Sequence, residues 1–240
     1  MSFTIDFRGS HATGAGARGA CAFVTAGPTE EPLDDVRFLG NRSSGRMGLA
    51  IAEALLAAGA DVTLALGPIR TEPSAALLAH PRLRLVRFRS SRDLEAVMRN
   101  ELGSADLVVM AAAVADYRPK AVAEGKMRRT DTGLVLDLEG VPDLLASTKS
   151  ARKPGSRVVG FALEPRDRLE RSAREKLERK DLFGIVANPL ETMDAPDIEG
   201  TLFLRDGTAR VPEDRDAGGR IAKQAFAAWL ARELLAPQPA

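Results

Sequence analysis

An α/β fold, built on a Rossmann-like doubly wound, mainly parallel sheet with a small β-hairpin addition, is what the sequence predicts, and three observations carry it. Short apolar runs recur with helical stretches between them. The first run feeds a Gly/Pro turn and a polar loop that returns at the start of an Ala/Leu-rich helical pattern. A late segment holds two alternating runs around Asp206-Gly207, a strong hairpin signal.

Taken in order, the runs at 21–25, 61–66, 83–88 and 106–113 read as strands, with helices at 45–58, 73–79 and 91–102 between them. Strands apolar on both faces that alternate with amphipathic helices make a parallel sheet with right-handed crossovers. The second half continues with a helix at 142–151, a strand at 157–163, a helix at 167–179, a strand at 182–187 and the hairpin within 201–211. A last helix, about 217–235, sets Ile221, Ala225, Ala228, Trp229 and Leu235 along one docking side, so the single Trp reads as core. Residues 1–20, rich in Gly and Ala, read as a disordered arm, and 21–240 as a single domain without internal repeats.

Composition excludes several function classes. With 45% apolar and 28% charged residues the chain is ordinary for a globular protein, and a net charge of +1 makes no case for a nucleic-acid or membrane partner. The one cysteine, Cys21, cannot form an internal disulfide and reads as buried beside the first strand. His11 and His80 stand away from any Cys or carboxylate cluster, so no protein metal site is expected. No apolar run approaches the roughly 18 residues that span a bilayer, and no apolar leader core is present, so the expected compartment is the cytoplasm.

Three segments carry chemistry. The stretch 23–48, FVTAGPTEEPLDDVRFLGNRSSGRMG, runs from a strand through a polar loop to a helix start, where exposed N–H groups and the helix dipole favour an anion. Gly40 and Gly45 have P-loop spacing, but Arg46 and Met47 stand where Lys and Ser/Thr are required. Gly45 and Gly48 read equally well as allowing tight helix–sheet packing. No GxGxxG follows the first strand, and Tyr117 has Ala121 rather than Lys four residues on, which disfavours an NAD(P)-dependent oxidoreductase. The second segment, 112–129, starts at the carboxyl end of a strand with Asp116 and continues through Lys120, Lys126, Arg128 and Arg129. A basic loop over a cleft suits a leaving pyrophosphate, although the same composition fits a solvated surface loop. In the third, Phe161 ends a strand, and Lys176 and Lys180 share a helix face on which Glu170, Arg174, Glu175 and Glu178 supply ordinary surface partners.

In combination and order, AGPTEEPLDDVRFLGNRSSGRMG, AAVADYR, the Lys-Met-Arg-Arg run, PDLL, VVGFALE and a Lys-x3-Lys helix before IVAN resemble phosphopantothenoylcysteine synthetase over about residues 21–235. The resemblance implies a stand-alone form of the ligase half of the bifunctional coenzyme A biosynthesis protein, with a separate decarboxylase as partner. It implies CTP as a substrate, Mg²⁺, 4′-phosphopantothenate and L-cysteine, an acyl-cytidylate intermediate, and a homodimer with sites near the subunit interface. Carried over by residue, Asn41 and Lys126 are catalytic, and Arg37, Asn41 and Gly45 bind the acyl substrate. Ala112, Asp116, Lys126, Pro142, Asp143, Leu144, Leu145, Phe161, Lys176 and Lys180 meet the nucleotide. The chain departs from the family pattern at Glu30 (usually Arg), Asp35 (usually Pro), Arg46 (usually Lys), and Arg128 and Arg129 (usually Lys). Glu30 reverses a charge and is the main support for a third reading, a non-catalytic nucleotide-binding relative.

Overall fold

The computed structural model describes residues 19–237 apart from 70, 71, 130, 132 and 194; residues 1–18 of the N-terminal arm lie outside the described residues. Eight strands form the main sheet: β1 Cys21–Ala26, β2 Asp61–Leu66, β3 Leu83–Arg87, β4 Leu107–Met110, β5 Arg157–Glu164, β6 Gly184–Pro189, β7 Thr201–Leu204 and β8 Ala209–Arg210. Their order is β3-β2-β1-β4-β5-β6-β7-β8. The first six are parallel, and β7 and β8 add antiparallel at one edge, turning at Gly207 with φ 89°. The expected α/β sheet and its hairpin addition are both present.

The helices are α1 Arg46–Ala57, α2 Ala75–Leu78, α3 Ser91–Glu101, α4 Leu144–Ser147, α5 Leu169–Arg179 and α6 Lys223–Leu235. Side chains alternate across each strand, so the sheet divides the interior into two cores. Val24, Leu64, Val109 and Val159 pack with Ile51 and Leu55 of α1 and Phe226, Leu230 and Leu234 of α6. Phe23, Ala65, Val108 and Val158 pack on the other face with Leu94 and Met98 of α3 and Leu177 of α5. Ser90 caps α3 in a reciprocal capping box with Asp93. Glu31, only 1% exposed, accepts hydrogen bonds from the N–H and hydroxyl of Ser91 and so fixes the first loop to the start of α3.

Several boundaries differ from the sequence expectation. The strand expected over 106–113 stops at Met110, because the next N–H groups find other partners: Ala112 donates to Thr25 Oγ1 and Ala113 to the carbonyl of Gly27. The helix expected at 142–151 is one α turn, α4, followed by a 3₁₀ turn at Lys149–Ala151. The last helix begins at Lys223, since Ile221–Ala222 pair as a short strand with Asp197–Ile198. The buried face differs as well, since Ile221 lies outside the helix: Phe226, Ala227, Leu230 and Leu234 dock, whereas Ala225 and Ala228 are exposed. Trp229 is core as expected, 5.2 Å from the Phe226 ring. Cys21 is half-buried rather than buried: it is the first residue of β1, at the end of the strand, where its N–H donates to Asp106. Two antiparallel ribbons, Glu30–Pro32 with Phe38–Gly40 and Tyr117–Pro119 with Leu138–Gly140, were not expected.

Candidate active site at the switch point of the sheet

From β1 the chain winds to β2 and β3 on one side, and from β4 to β5 and β6 on the other. Such a reversal opens a crevice beyond the carboxyl ends of the two central strands, where open α/β sheets bind ligands. A cleft of 890 Å³ lies there.

The loops after β1 and β4 form its floor and are stitched together. Thr25 Oγ1 accepts from the Ala112 N–H at 3.0 Å, and Thr29 Oγ1 from Ala115 at 3.0 Å, while Thr29 N–H donates to the Ala113 carbonyl at 3.1 Å. Gly45 precedes α1 with φ 74°, where an added Cβ would lie 2.8 Å from Ile69 Cγ2. Its left-handed conformation turns the chain into α1, whose first N–H groups have no partner within the helix and whose first turn carries no acid. Gly48 answers to packing: an added Cβ would stand 2.5 Å from Ala26 Cβ.

Asn41 bridges the two loops. Its Nδ2 donates to the carbonyls of Val114 at 2.9 Å and Ala113 at 3.3 Å. Carbonyl oxygens accept and never donate, which fixes the amide orientation and leaves Oδ1 as its remaining polar atom.

The wall on the α5 side is built from ion pairs. Asp143 caps α4 through the N–H groups of Leu145 and Ala146 and pairs with Lys180 Nζ at 3.0 Å. Lys176 pairs with Glu164, which also accepts from Ser172 Oγ at 2.8 Å. Burial opposes ionisation of Glu164, but the Lys176 and Ser172 bonds outweigh it and hold the carboxyl below its usual range. Both lysines are thus held at the cleft by carboxylates, while the Arg174–Glu170 and Arg171–Glu175 pairs occupy the outer face of the same helix. The helix thus carries cleft-lining lysines on one face and ordinary surface ion pairs on the other.

The structure gathers Asn41, Gly45, Ala112, Asp116, Pro142, Asp143, Leu144, Leu145, Phe161, Lys176 and Lys180 around the one cleft. Arg37 and Lys126 do not line it. Arg37 and Met127, the residue after Lys126, meet at Asp34, which the sequence reading missed. Its buried carboxylate accepts from the N–H groups of Val36, Arg37 and Met127, and Arg37 Nη1 bonds both Asp34 and the Met127 carbonyl. This joint fastens the basic segment carrying Lys126 to the first loop. Lys223 was also missed: it is 8% exposed, lines the cleft and donates to the carbonyls of Ala195 and Thr192. No sequence signal marks either residue, since an acid in a polar loop and a lysine at a helix start both read as solvated.

Burial pushes the Asp34 pKa up, but its three backbone donors and the Arg37 charge prevail, leaving it below the ordinary 3.8. A depressed carboxyl stabilises the fold above its unfolded pKa, and that stability disappears as pH falls through the folded value. Asp34→Asn is therefore expected to lower stability at neutral pH, with the difference from wild type shrinking below about pH 4. Chemical denaturation at a series of pH values measures this, and a pH-independent difference would remove the charge from the argument.

Strand order, switch-point cleft, helix N-terminus and paired lysines define a Rossmann-like α/β protein whose cleft suits an anionic ligand. The family model of the DNA/pantothenate metabolism flavoprotein C-terminal domain matches residues 17–234, and the chain belongs to that family. It is similar to the coenzyme A biosynthesis bifunctional protein CoaBC of Bacillus subtilis (strain 168), at 36% identity over 202 residues, covering 82% of this chain and 48% of the relative. It is similar also to a cysteine/cysteine sulfinic acid decarboxylase of an unknown prokaryotic organism, 39% identical over 173 residues, covering 72% and 46% of the two chains. Among solved structures it resembles the C-terminal domain of CoaBC, with a TM-score of 0.72, 31% identity, and 91% and 95% of the chains covered. The chain spans about half the length of the curated relatives it matches. The resemblance read from the motifs thus agrees with the family.

Proposed function

We propose that this cleft joins 4′-phosphopantothenate to L-cysteine in coenzyme A biosynthesis, through an acyl-cytidylate made from CTP. The observation that carries the reading is convergence: residues assigned to this chemistry from five separate segments, all but Arg37 and Lys126, line one switch-point cleft. A carboxylate is a poor electrophile. Its oxygen attacks the α-phosphorus of CTP, the bond to the β-phosphate oxygen breaks, and pyrophosphate leaves. The cysteine amine then attacks the acyl carbon, loses a proton and expels CMP to form the amide.

The α1 N-terminus supplies positive potential for the phosphates, and Lys176 and Lys180, held at the cleft by Glu164 and Asp143, supply ammonium donors for their oxygens. Asn41 ties the acyl-side loop to the 111–116 floor, so the two reactants keep one relative position. Among the described residues no cluster of three or more His, Cys, Asp or Glu could hold a metal. In this reading Mg²⁺ arrives on the nucleotide and needs only one or two protein carboxylates, and Asp116 in the cleft would hold it. Bound there, the ion would neutralise phosphate charge.

Glu30, the departure that most favoured a non-catalytic relative, pairs with Arg89 at 3.2 Å and does not line the cleft. The local charge reversal has its own counter-ion, so it leaves the site's field in place. The reading extends to a cytoplasmic homodimer with a separate decarboxylase as partner. Val36, Phe38, Tyr117 and Val122 lie exposed on and beside the two ribbons, which supports a second copy there. No helix among the described residues is long and apolar enough to cross a membrane.

The test is pyrophosphate release from CTP and Mg²⁺ that requires phosphopantothenate, followed by amide formation that requires cysteine. Absence of both products with all substrates present overturns the reading, and substituting ATP fixes the nucleotide preference. In the same assay Lys126→Gln is expected to lower turnover by about 10²-fold with little change in KM, as for a cation engaged only when charge develops on the leaving group. Near-normal turnover would release Lys126 from that role.

A further inference from the structure

A second cavity, of 620 Å³, opens away from the cleft, beside the first residues of β5 and the turns that precede β5 and β6. Nothing in the ligase chemistry uses it. Its lining includes Lys149, Arg152, Lys153, Arg157 and Arg205, with Asp181 as the one acid.

These cations are held in place but not neutralised. Lys149 and Arg205 share the single carboxylate of Asp181. Arg157 Nη1 donates to the carbonyls of Leu234 and Ala236, and its guanidinium stacks over Phe183 at 5.4 Å. Arg152 donates to the carbonyls of Leu145 and Asp181, and its buried Nε has no partner among the described residues. Carbonyls satisfy hydrogen bonds without cancelling charge. Only Lys153 has a carboxylate to itself, Asp106. Five cations therefore face two carboxylates. A buried N–H left without a partner is destabilising, and an anionic acceptor would relieve it.

Asp181 is placed by the end of α5: its φ of 52° is the left-handed turn of a Schellman cap, in which Asp181 N–H donates to the Glu178 carbonyl and Leu182 N–H to the Leu177 carbonyl. There it presents its carboxylate to Lys149 and Arg205 and its carbonyl to Arg152.

We propose that this pocket binds a small phosphorylated anion carrying two or three negative charges, held by Lys149, Arg152 and Arg205. Guanidinium forks suit phosphate oxygens, and a multiply charged group matches the excess of cations. The pocket also shares a wall with the cleft. Arg152 grips the backbone of Leu145, and Asp181 follows Lys180, both of which line the cleft. An occupant therefore sits behind the nucleotide wall, placed to sense a product or precursor of the reaction sequence without entering the active site.

Titration with inorganic pyrophosphate, free of divalent cations and followed by backbone amide resonances, separates the two sites. Gly155, Ser156 and Phe183 report the pocket, and Gly45 and Ala112 the cleft. The pocket amides are expected to shift saturably, to do so equally in Lys176→Gln/Lys180→Gln protein, and to need about tenfold more pyrophosphate in Lys149→Gln/Arg205→Gln protein. Lys149 and Arg205 are more than half exposed, so the variant is expected to unfold at the wild-type midpoint. If it does not, Lys149→Gln alone replaces it. The proposal is overturned if the pocket amides do not move, if matched chloride moves them as far, or if their response ignores Lys149 and Arg205. Because the readout is binding and not turnover, failure of the ligase reading would leave it standing.

Discussion

Asn41→Asp is expected to lower turnover in the proposed reaction by about 10²- to 10³-fold, the range that follows loss of one placed amide donor in an active site. The structure locates the loss. Nδ2 now donates to the Ala113 and Val114 carbonyls, and an aspartate would set a negative oxygen against those two acceptors. The first loop and the floor after β4 would separate, and with them the proposed acyl and nucleotide halves of the cleft. Steady-state kinetics in the pyrophosphate-release assay measure this. Asn41→Ala removes the tie without adding charge and is expected to fall between Asp and wild type. If Asp and Ala were equal and near wild type, the bridge would have no part in turnover. If Asn41 must instead donate to the reacting carbonyl, as the family resemblance implies, one of the two loop bonds has to break on binding. A loop rearrangement on adding phosphopantothenate would then accompany the kinetic effect.

The largest expected effect on stability is that of Gly48→Ala. Alanine in a helix ordinarily gains up to about 1 kcal/mol over glycine, and Gly48 is the third residue of α1. Here the added carbon would lie 2.5 Å from Ala26 Cβ, 2.9 Å from Ala26 Cα and 2.9 Å from the Thr25 carbonyl oxygen. Two of those three atoms are main chain in β1, paired on both sides by β2 and β4, so they cannot yield as a side-chain tip would. Overpacking of about 3 kcal/mol outweighs the propensity gain. A net loss of about 2 kcal/mol corresponds to a fall of roughly 4–8 °C in Tm for a chain of this size. Gly140→Ala is the control, since an added Cβ there meets nothing within 4 Å. An unchanged midpoint for Gly48→Ala would mean that α1 can lift from the sheet at little cost. The Gly45 turn beneath the cleft would then be looser than the packing implies.

The main sheet was legible because its strands are apolar on both faces, so that composition alone marks Val24, Leu64, Val109 and Val186 as interior. The two ribbons were not. Glu30-Glu31-Pro32 and Tyr117-Arg118-Pro119 show no apolar alternation, and their pairing is set by residues they meet only in the fold, such as Ser91 beside Glu31. The docking face of α6 was misassigned because it was anchored on Ile221, which pairs as a strand outside the helix and so says nothing of the helix's buried side.

The cleft divides in the same way. Motif order was enough to name most of its lining, because local chemistry such as a turn glycine, a capping aspartate or lysines four apart is written within a few residues. Asp34, Glu164 and Lys223 were invisible, since a charged side chain is read as solvated until its surroundings are known. The placement of Arg37 and Lys126 at a joint outside the cleft likewise depended on a contact between residues about ninety positions apart. By itself, the sequence determined the alternation of strands and helices, the family and the local turn chemistry. Tertiary structure alone decided which charges are buried, which cations are left without a carboxylate, and which loops are tied together. Periodicity and turn preference act over a few residues, whereas burial and charge pairing depend on neighbours that only the folded chain brings near.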